Sequence, residues 1–83
     1  MMSKIYVYAL KSVVRNYIYV GQTNDIERRF HDHNNGYNAT TKPYIPFTKI
    51  LVEEYSNRTE ARKREKYLKS GEGKAALKKL AVS

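Results

Sequence analysis

The sequence predicts an α+β domain: a three-stranded antiparallel sheet flanked by helices, in the order β-β-α-β-α-α. Three observations predict it. Apolar and aromatic residues alternate in the strand manner over residues 4–11, 17–21 and 48–55. Two stretches open with an asparagine followed three residues on by a glutamate, Asn24 with Glu27 and Asn57 with Glu60, the capping-box start of a helix. Between them, residues 37–47 carry Asn38, Thr40, Thr41, Pro43 and Pro46, the composition of a loop.

In the first strand Tyr6, Tyr8 and Leu10 point to one face and Ile5, Val7 and Ala9 to the other. Both faces are largely apolar, which suits the central position in the sheet. Residues 12–16 are a short connection, and the second strand puts Tyr17 and Tyr19 on one side and Ile18 and Val20 on the other. A hairpin of this length sets Tyr8 across from Tyr19 and Leu10 across from Tyr17, with two phenols side by side. The strand breaks at Gly21 and the chain restarts as a helix over residues 25–35, capped by Asn24. There Ile26, Arg29, Phe30 and His33 fall at spacings of three and four and share a face, while Asn34, Asn35 and Gly36 supply a left-handed stop. His31 lies on another face.

The third strand ends at Glu53 and Glu54, which project to solvent. The helix opened by Asn57 runs to Ser70, where Gly71 ends it, and Gly73 precedes a short basic helix over residues 74–81 with Leu77 and Leu80 as its apolar contacts. In the helix after Asn57, Ala61 and Leu68 lie seven apart with Glu65 on the same stripe. A carboxylate there is costly without a partner. Glu65 is either salt-bridged to a nearby arginine or faces a cleft and holds a cation. Arg62, Lys63, Arg64, Lys66 and Lys69 form the solvated or phosphate-facing part of that helix.

Eighty-three residues make one small domain with a single core, taken as residues 1–83 with no appended DNA-binding domain. The absence of cysteine excludes a disulfide frame and a thiolate metal site, and two histidines do not make a histidine-rich zinc site. No apolar run approaches the roughly 20 residues of a membrane span, and the first residues lack a signal-peptide pattern. The expected location is the cytoplasm. Sixteen Lys and Arg against eight Asp and Glu give a net charge of +8, with nine basic and three acidic residues in the stretch 58–79. Such a field favours polyanions, nucleic acid before anionic membrane; the alternative is a well-solvated surface. Eight tyrosines could stack on bases or donate to phosphates, or serve as core-edge aromatics.

Tyr6-Val7-Tyr8 and Tyr19-Val20-Gly21, with ten residues between Tyr8 and Tyr19, are followed by Arg29 eight after Gly21, His33 four after Arg29, and a helix running from Glu60-Ala61 to Arg64-Glu65-Lys66-Tyr67-Leu68-Lys69. Each tripeptide is common; five elements in order at this spacing are not. The chain resembles the GIY-YIG nuclease superfamily, in particular its small single-domain members, over nearly its whole length. It departs at Tyr6, where the first motif has glycine, at Val7 and Val20, where the motifs have isoleucine, and in having no asparagine after Asn57, a residue that some larger members place beyond the glutamate.

The resemblance implies hydrolysis of phosphodiester bonds in DNA with a single divalent ion, Mg2+ or Mn2+. Glu65 would be the metal ligand, Tyr8 the general base, Tyr19 its hydrogen-bonded neighbour, Arg29 the phosphate ligand, and His33 an orienting or proton-relaying group. Lys42, Arg64 and Lys69 join Arg29 as candidate nucleic-acid contacts. The basic balance and missing targeting domain leave a second function class: a nucleic-acid-binding module on the same scaffold, its affinity or specificity supplied by a protein partner. Oligomeric state is left open.

Overall fold

The computed structural model describes residues 4–82. Its elements are β1 (Ile5–Ser12), β2 (Ile18–Thr23), α1 (Ile26–Asn34), a single 3-10 turn (Lys42–Tyr44), β3 (Phe47–Tyr55), α2 (Arg58–Lys69) and α3 (Gly71–Val82). The sheet is antiparallel with strand order β2-β1-β3. The doubly apolar first strand is therefore central, as expected, and β2 and β3 are both edges.

Alternation decides what covers each face. Ile5, Val7 and Ala9 of β1 and Ile18 and Val20 of β2 pack with Ala61 and Leu68 of α2 and Leu77 of α3. On the other face Tyr8, Leu10 and Phe47 are covered by Tyr17, Tyr19, Ile26, Phe30, Tyr44 and Ile45. Helix α1 thus lies on one side of the sheet, α2 and α3 on the other. Among the described residues no helix is long and apolar enough to cross a membrane.

The hairpin register differs from the expected one by two residues: Tyr8 stands opposite Gly21 and Leu10 opposite Tyr19. Ser12 explains the slip. Its Oγ accepts from the backbone N–H groups of Val14 and Arg15 and donates to the Tyr44 carbonyl, so the turn is wider than a tight hairpin and closes at Ser12 N–H to Tyr17 O, 3.0 Å. A slip of two keeps every side chain on its face. Gly21 does not break the strand, since β2 continues to Thr23.

The first helix is capped one residue later than expected. Thr23 Oγ1 accepts from the Asp25 N–H at 3.0 Å, and Asp25 Oδ1 then accepts from the Arg28 N–H at 3.2 Å, which leaves Asn24 outside the helix. The stop is as expected, with Gly36 at φ +75°. In α2, Asn57 Oδ1 caps the Glu60 N–H at 2.9 Å, as the sequence implied.

Glu53 does not project freely. It pairs with Val7 across the sheet and so faces α2, where Arg64 holds it through Nε and Nη2 at 2.8 and 3.0 Å and Tyr55 Oη donates to it at 2.9 Å. The guanidinium contact holds the Glu53 carboxyl below its usual range. Glu54, on the opposite face, does reach solvent and pairs with Lys4.

Helix α3 starts at Gly71, earlier than the expected residue 74. Gly73 is inside it rather than ahead of it, because a Cβ there would land on the Tyr67 carbonyl and the Leu68 backbone. Only glycine lets α3 approach α2 this closely. We expect Gly73→Ala to lower stability by about 1–3 kcal/mol, the usual range for forcing extra volume into a packed contact. The check is a lower urea midpoint at unchanged m.

Candidate active site

Four of the expected residues meet on the α1 face. Tyr8 is buried at the centre of β1, and its ring lies 6.1 Å from that of Tyr19, centroid to centroid. His33, fully buried in the last turn of α1, brings Nε2 to 3.1 Å from Tyr8 Oη and sets its ring 4.7 Å from that of Tyr19, tilted by 53°. Arg29, one turn earlier on the same helix face, lies close enough to the Tyr8 hydroxyl for the contact to raise the guanidinium pKa. The three-and-four spacing implied that Arg29 and His33 share a helix face, and they do.

Gly21 makes room for it. Directly opposite Tyr8, a Cβ at this position would meet Tyr8 Oη at 2.8 Å and Tyr19 Cε2 at 3.0 Å. The glycine is needed for space between the phenols, not for a turn. Gly21→Ala should displace the Tyr8 hydroxyl from His33, costing about 1–3 kcal/mol of stability. The displacement would appear as a changed His33 imidazole resonance, and Gly21→Ala would impair any chemistry that uses Tyr8.

The electrostatics of the cluster oppose each other. Burial pushes the Tyr8 phenol up to about 12, against the pull of the neighbouring Arg29, with Tyr19 adding to the rise. Burial, then the positive charge of Arg29, lowers the His33 pKa from its ordinary 6.5, so the imidazole is neutral at pH 7. Its Nδ1 is 2.9 Å from Thr41 Oγ1, and Thr41 is itself fully buried with the Asn38 carbonyl 3.4 Å from its hydroxyl. The sequence placed Thr41 simply in the loop of residues 37–47. The structure turns it inward onto His33 instead.

Glu65 is on α2, which covers the opposite face of the sheet. It reaches the β2 edge, where Gln22 Nε2 donates to Oε1 at 2.9 Å and Lys69 Nζ sits 2.8 Å from Oε2. Its hydrogen-bond partners among the described residues are therefore Gln22 and Lys69, and neither phenol. Its ion-pair partner is a lysine and not an arginine. Gln22 could have been found from strand parity, because it follows Ile18 and Val20 on the α2 face. One surface groove reaches both faces at the open edge of β2, lined by Tyr19 and Lys69 among others, and Lys69 also lines a second groove along α2 with Glu65. A ligand lying across an edge strand can touch both faces.

The donor set bears on the ion. Among the described residues no group of three or more His, Cys, Asp or Glu could hold a metal. A lone carboxylate fits a hard cation that keeps most of its shell as water and phosphate oxygen, as Mg2+ or Mn2+ does, and does not fit zinc. A cation already lies against Glu65 Oε2 in the form of the Lys69 ammonium.

Of the candidate nucleic-acid contacts, Lys42 is exposed beside Gly36, while Lys69 is paired with Glu65. Arg64 is committed to Glu53 and to the face of Tyr67, 5.3 Å from its ring centroid.

The three-stranded sheet thus carries a Tyr-Tyr-Arg-His cluster on one face and Glu65 at its β2 edge. The chain matches the GIY-YIG catalytic domain over residues 4–79 and belongs to that family. Among its relatives are a UPF0213 protein of Clostridium perfringens, 40% identical over 65 residues that cover 77% of this chain and 69% of the relative. A UPF0213 protein of Staphylococcus haemolyticus is 36% identical over 78 residues, 93% of this chain and 94% of the relative. No solved structure gives a significant match.

Proposed function

We propose that the protein is a metal-dependent endonuclease that hydrolyses phosphodiester bonds in DNA. The observation that carries this reading is the Tyr8–His33 hydrogen bond, 3.1 Å, in a cluster that also holds Tyr19 and Arg29. A phenol pushed up to about 12 is a poor base by itself, but a buried neutral imidazole beside it changes the problem. If the Thr41 hydroxyl gives its proton to the Asn38 carbonyl, it accepts from His33 Nδ1–H, and Nε2 is left as the acceptor for Tyr8 O–H.

In this reading Tyr8 takes a proton from the attacking water as it passes its own to His33 Nε2, so that no free phenolate forms. The water oxygen bonds to phosphorus, the bond to the leaving oxygen breaks, and that oxygen takes a proton from solvent. Arg29 binds a non-bridging phosphate oxygen and Tyr19 packs the phenol pair in place. Glu65 would hold one Mg2+ or Mn2+ at the β2 edge, with Lys69 giving way. When bound, such an ion neutralises charge on the phosphate.

A second reading is a basic nucleic-acid-binding module with little chemistry. Two observations favour it: the raised Tyr8 pKa, and the ammonium that already neutralises Glu65. The two are separated by incubating the purified protein with nicked, branched and single-stranded DNA in Mg2+ or Mn2+ against chelator. The nuclease reading expects strand scission that chelator stops. Salt-sensitive binding without scission supports the module. The expected setting is the cytoplasm, with a protein partner adding affinity.

A further inference from the structure

Five basic residues outside the phenol cluster, Arg62, Lys66, Lys69, Lys74 and Lys78, line neighbouring grooves. One groove at the β2 edge is lined by Glu65 together with Arg62, Lys66 and Lys69. The next shares Lys69 and adds Tyr17, Ile18, Tyr19, Val20 and Lys74. A third shares Tyr17, Ile18 and Lys74 and adds Asn16 and Lys78. Each groove shares lining residues with the next, so together they make one trough that runs from α2 along the β2 edge and down α3.

Its charge is one-sided. Glu65 is the only carboxylate that lines it, and it is already matched by Lys69. Arg62, Lys66, Lys74 and Lys78 have no ion-pair partner among the described residues. Lys74 and Lys78 are one helical turn apart and therefore face the same way. Opposite them, Tyr17 is a braced wall, stacked on Tyr44 with centroids 3.8 Å apart. The β2 edge strand supplies the floor through Ile18 and Val20.

We infer that this trough carries one strand of the nucleic acid that flanks the scissile phosphate, held by its phosphates on Lys69, Lys74 and Lys78. The inference rests on the nuclease reading for its direction, since the trough ends at Glu65. It goes beyond that reading by assigning α3, which holds no part of the phenol cluster, the role of substrate grip. A long narrow groove of cations takes a single phosphodiester backbone.

The test is binding of a fluorescein-labelled single-stranded DNA of about 12 nucleotides, a length within the range that single-strand grooves accept. Anisotropy is read in chelator over a series of salt concentrations. Lys74→Gln with Lys78→Gln should weaken binding about tenfold at low salt and reduce the log–log salt slope by about 1.4, two contacts at 0.7 each. The control is Lys4→Gln with Lys49→Gln, which removes the same charge beside β3, the far edge of the sheet, where Lys49 lies in the strand and Lys4 pairs with its Glu54. It should move the slope by less than half as much. Equal losses in the two doubles, or an unchanged slope in the first, would overturn the trough. So would undetectable wild-type binding. Because chelator is present throughout, these outcomes are independent of cleavage: a failed nuclease assay leaves the trough result standing, and a failed trough leaves cleavage to be judged separately. Both substituted lysines are exposed, so far-ultraviolet circular dichroism should show unchanged helix content.

Discussion

Glu65→Gln should reduce metal-dependent cleavage roughly a thousandfold or more, since a lost anionic ligand forfeits several kcal/mol of charge stabilisation. Glutamine is the informative replacement. Its amide oxygen can still accept from Gln22 Nε2, so the tether to β2 survives, and the lost partner is the exposed Lys69 ammonium, spaced i,i+4. Pairs of that kind are worth about 0.3–0.5 kcal/mol, so the melting temperature should barely move. Binding of DNA in chelator should hold or tighten, because the trough loses its only carboxylate. Mn2+ titration followed by electron paramagnetic resonance reads the ion directly: the wild type should take up one ion and the variant should not. Cleavage that persists in Glu65→Gln would remove the glutamate from the chemistry and leave the binding module as the better account.

Sequence and structure part company wherever a contact is made by residues far apart in the chain. Strand alternation reveals which side chains share a face, and parity survives a slip of two residues, so the grouping of Tyr8 with Tyr19 and of Val7 with Val20 was legible. The register itself was not, because Ser12 widens the turn by bonding to Tyr44, on the far side of α1 in sequence. Helical spacing likewise put Arg29 and His33 on one face whether the cap is Asn24 or Asp25. What spacing could not give is the partner beyond the helix: Thr41, eight residues after His33, is an unremarkable loop threonine until the chain folds it inward. Gly73 was read as punctuation because its constraint comes from α2, not from its own helix. Glu65 was rightly marked as a carboxylate in need of a partner. That the partner would be Lys69, with Gln22 of β2 on its other oxygen, depends on how α2 lies across the sheet.

Tyr8→Phe carries the second large effect, and pH gives it two independent readouts. Removing one oxygen leaves the ring packed with Leu10 and Phe47 but takes away the proton donor to His33. Cleavage should fall by roughly a hundred- to ten-thousandfold, the span of general-base contributions. The orphaned Nε2 of His33 should cost about 1–3 kcal/mol of stability, in part offset because no hydroxyl is buried. Wild-type stability should also decline in alkali. The folded phenol is raised to about 12 from its ordinary 10.0, so the unfolded chain loses its proton first. That stability is fully present below about pH 10 and lost as pH rises through about 12, a change of up to about 2–3 kcal/mol. Urea melts of Tyr8→Phe between these limits should show a shallower decline, with a remainder from Tyr17 and Tyr55, whose phenols are also raised. For the rate, the acid side is decisive. The relay needs a neutral His33, and burial with Arg29 lowers its pKa from 6.5, so cleavage by the wild type should hold across neutral pH and fall only in acid. A rate that instead climbed tenfold per pH unit through neutrality would mean that Tyr8 must ionise before it acts, and His33 would lose its part in the proton transfer.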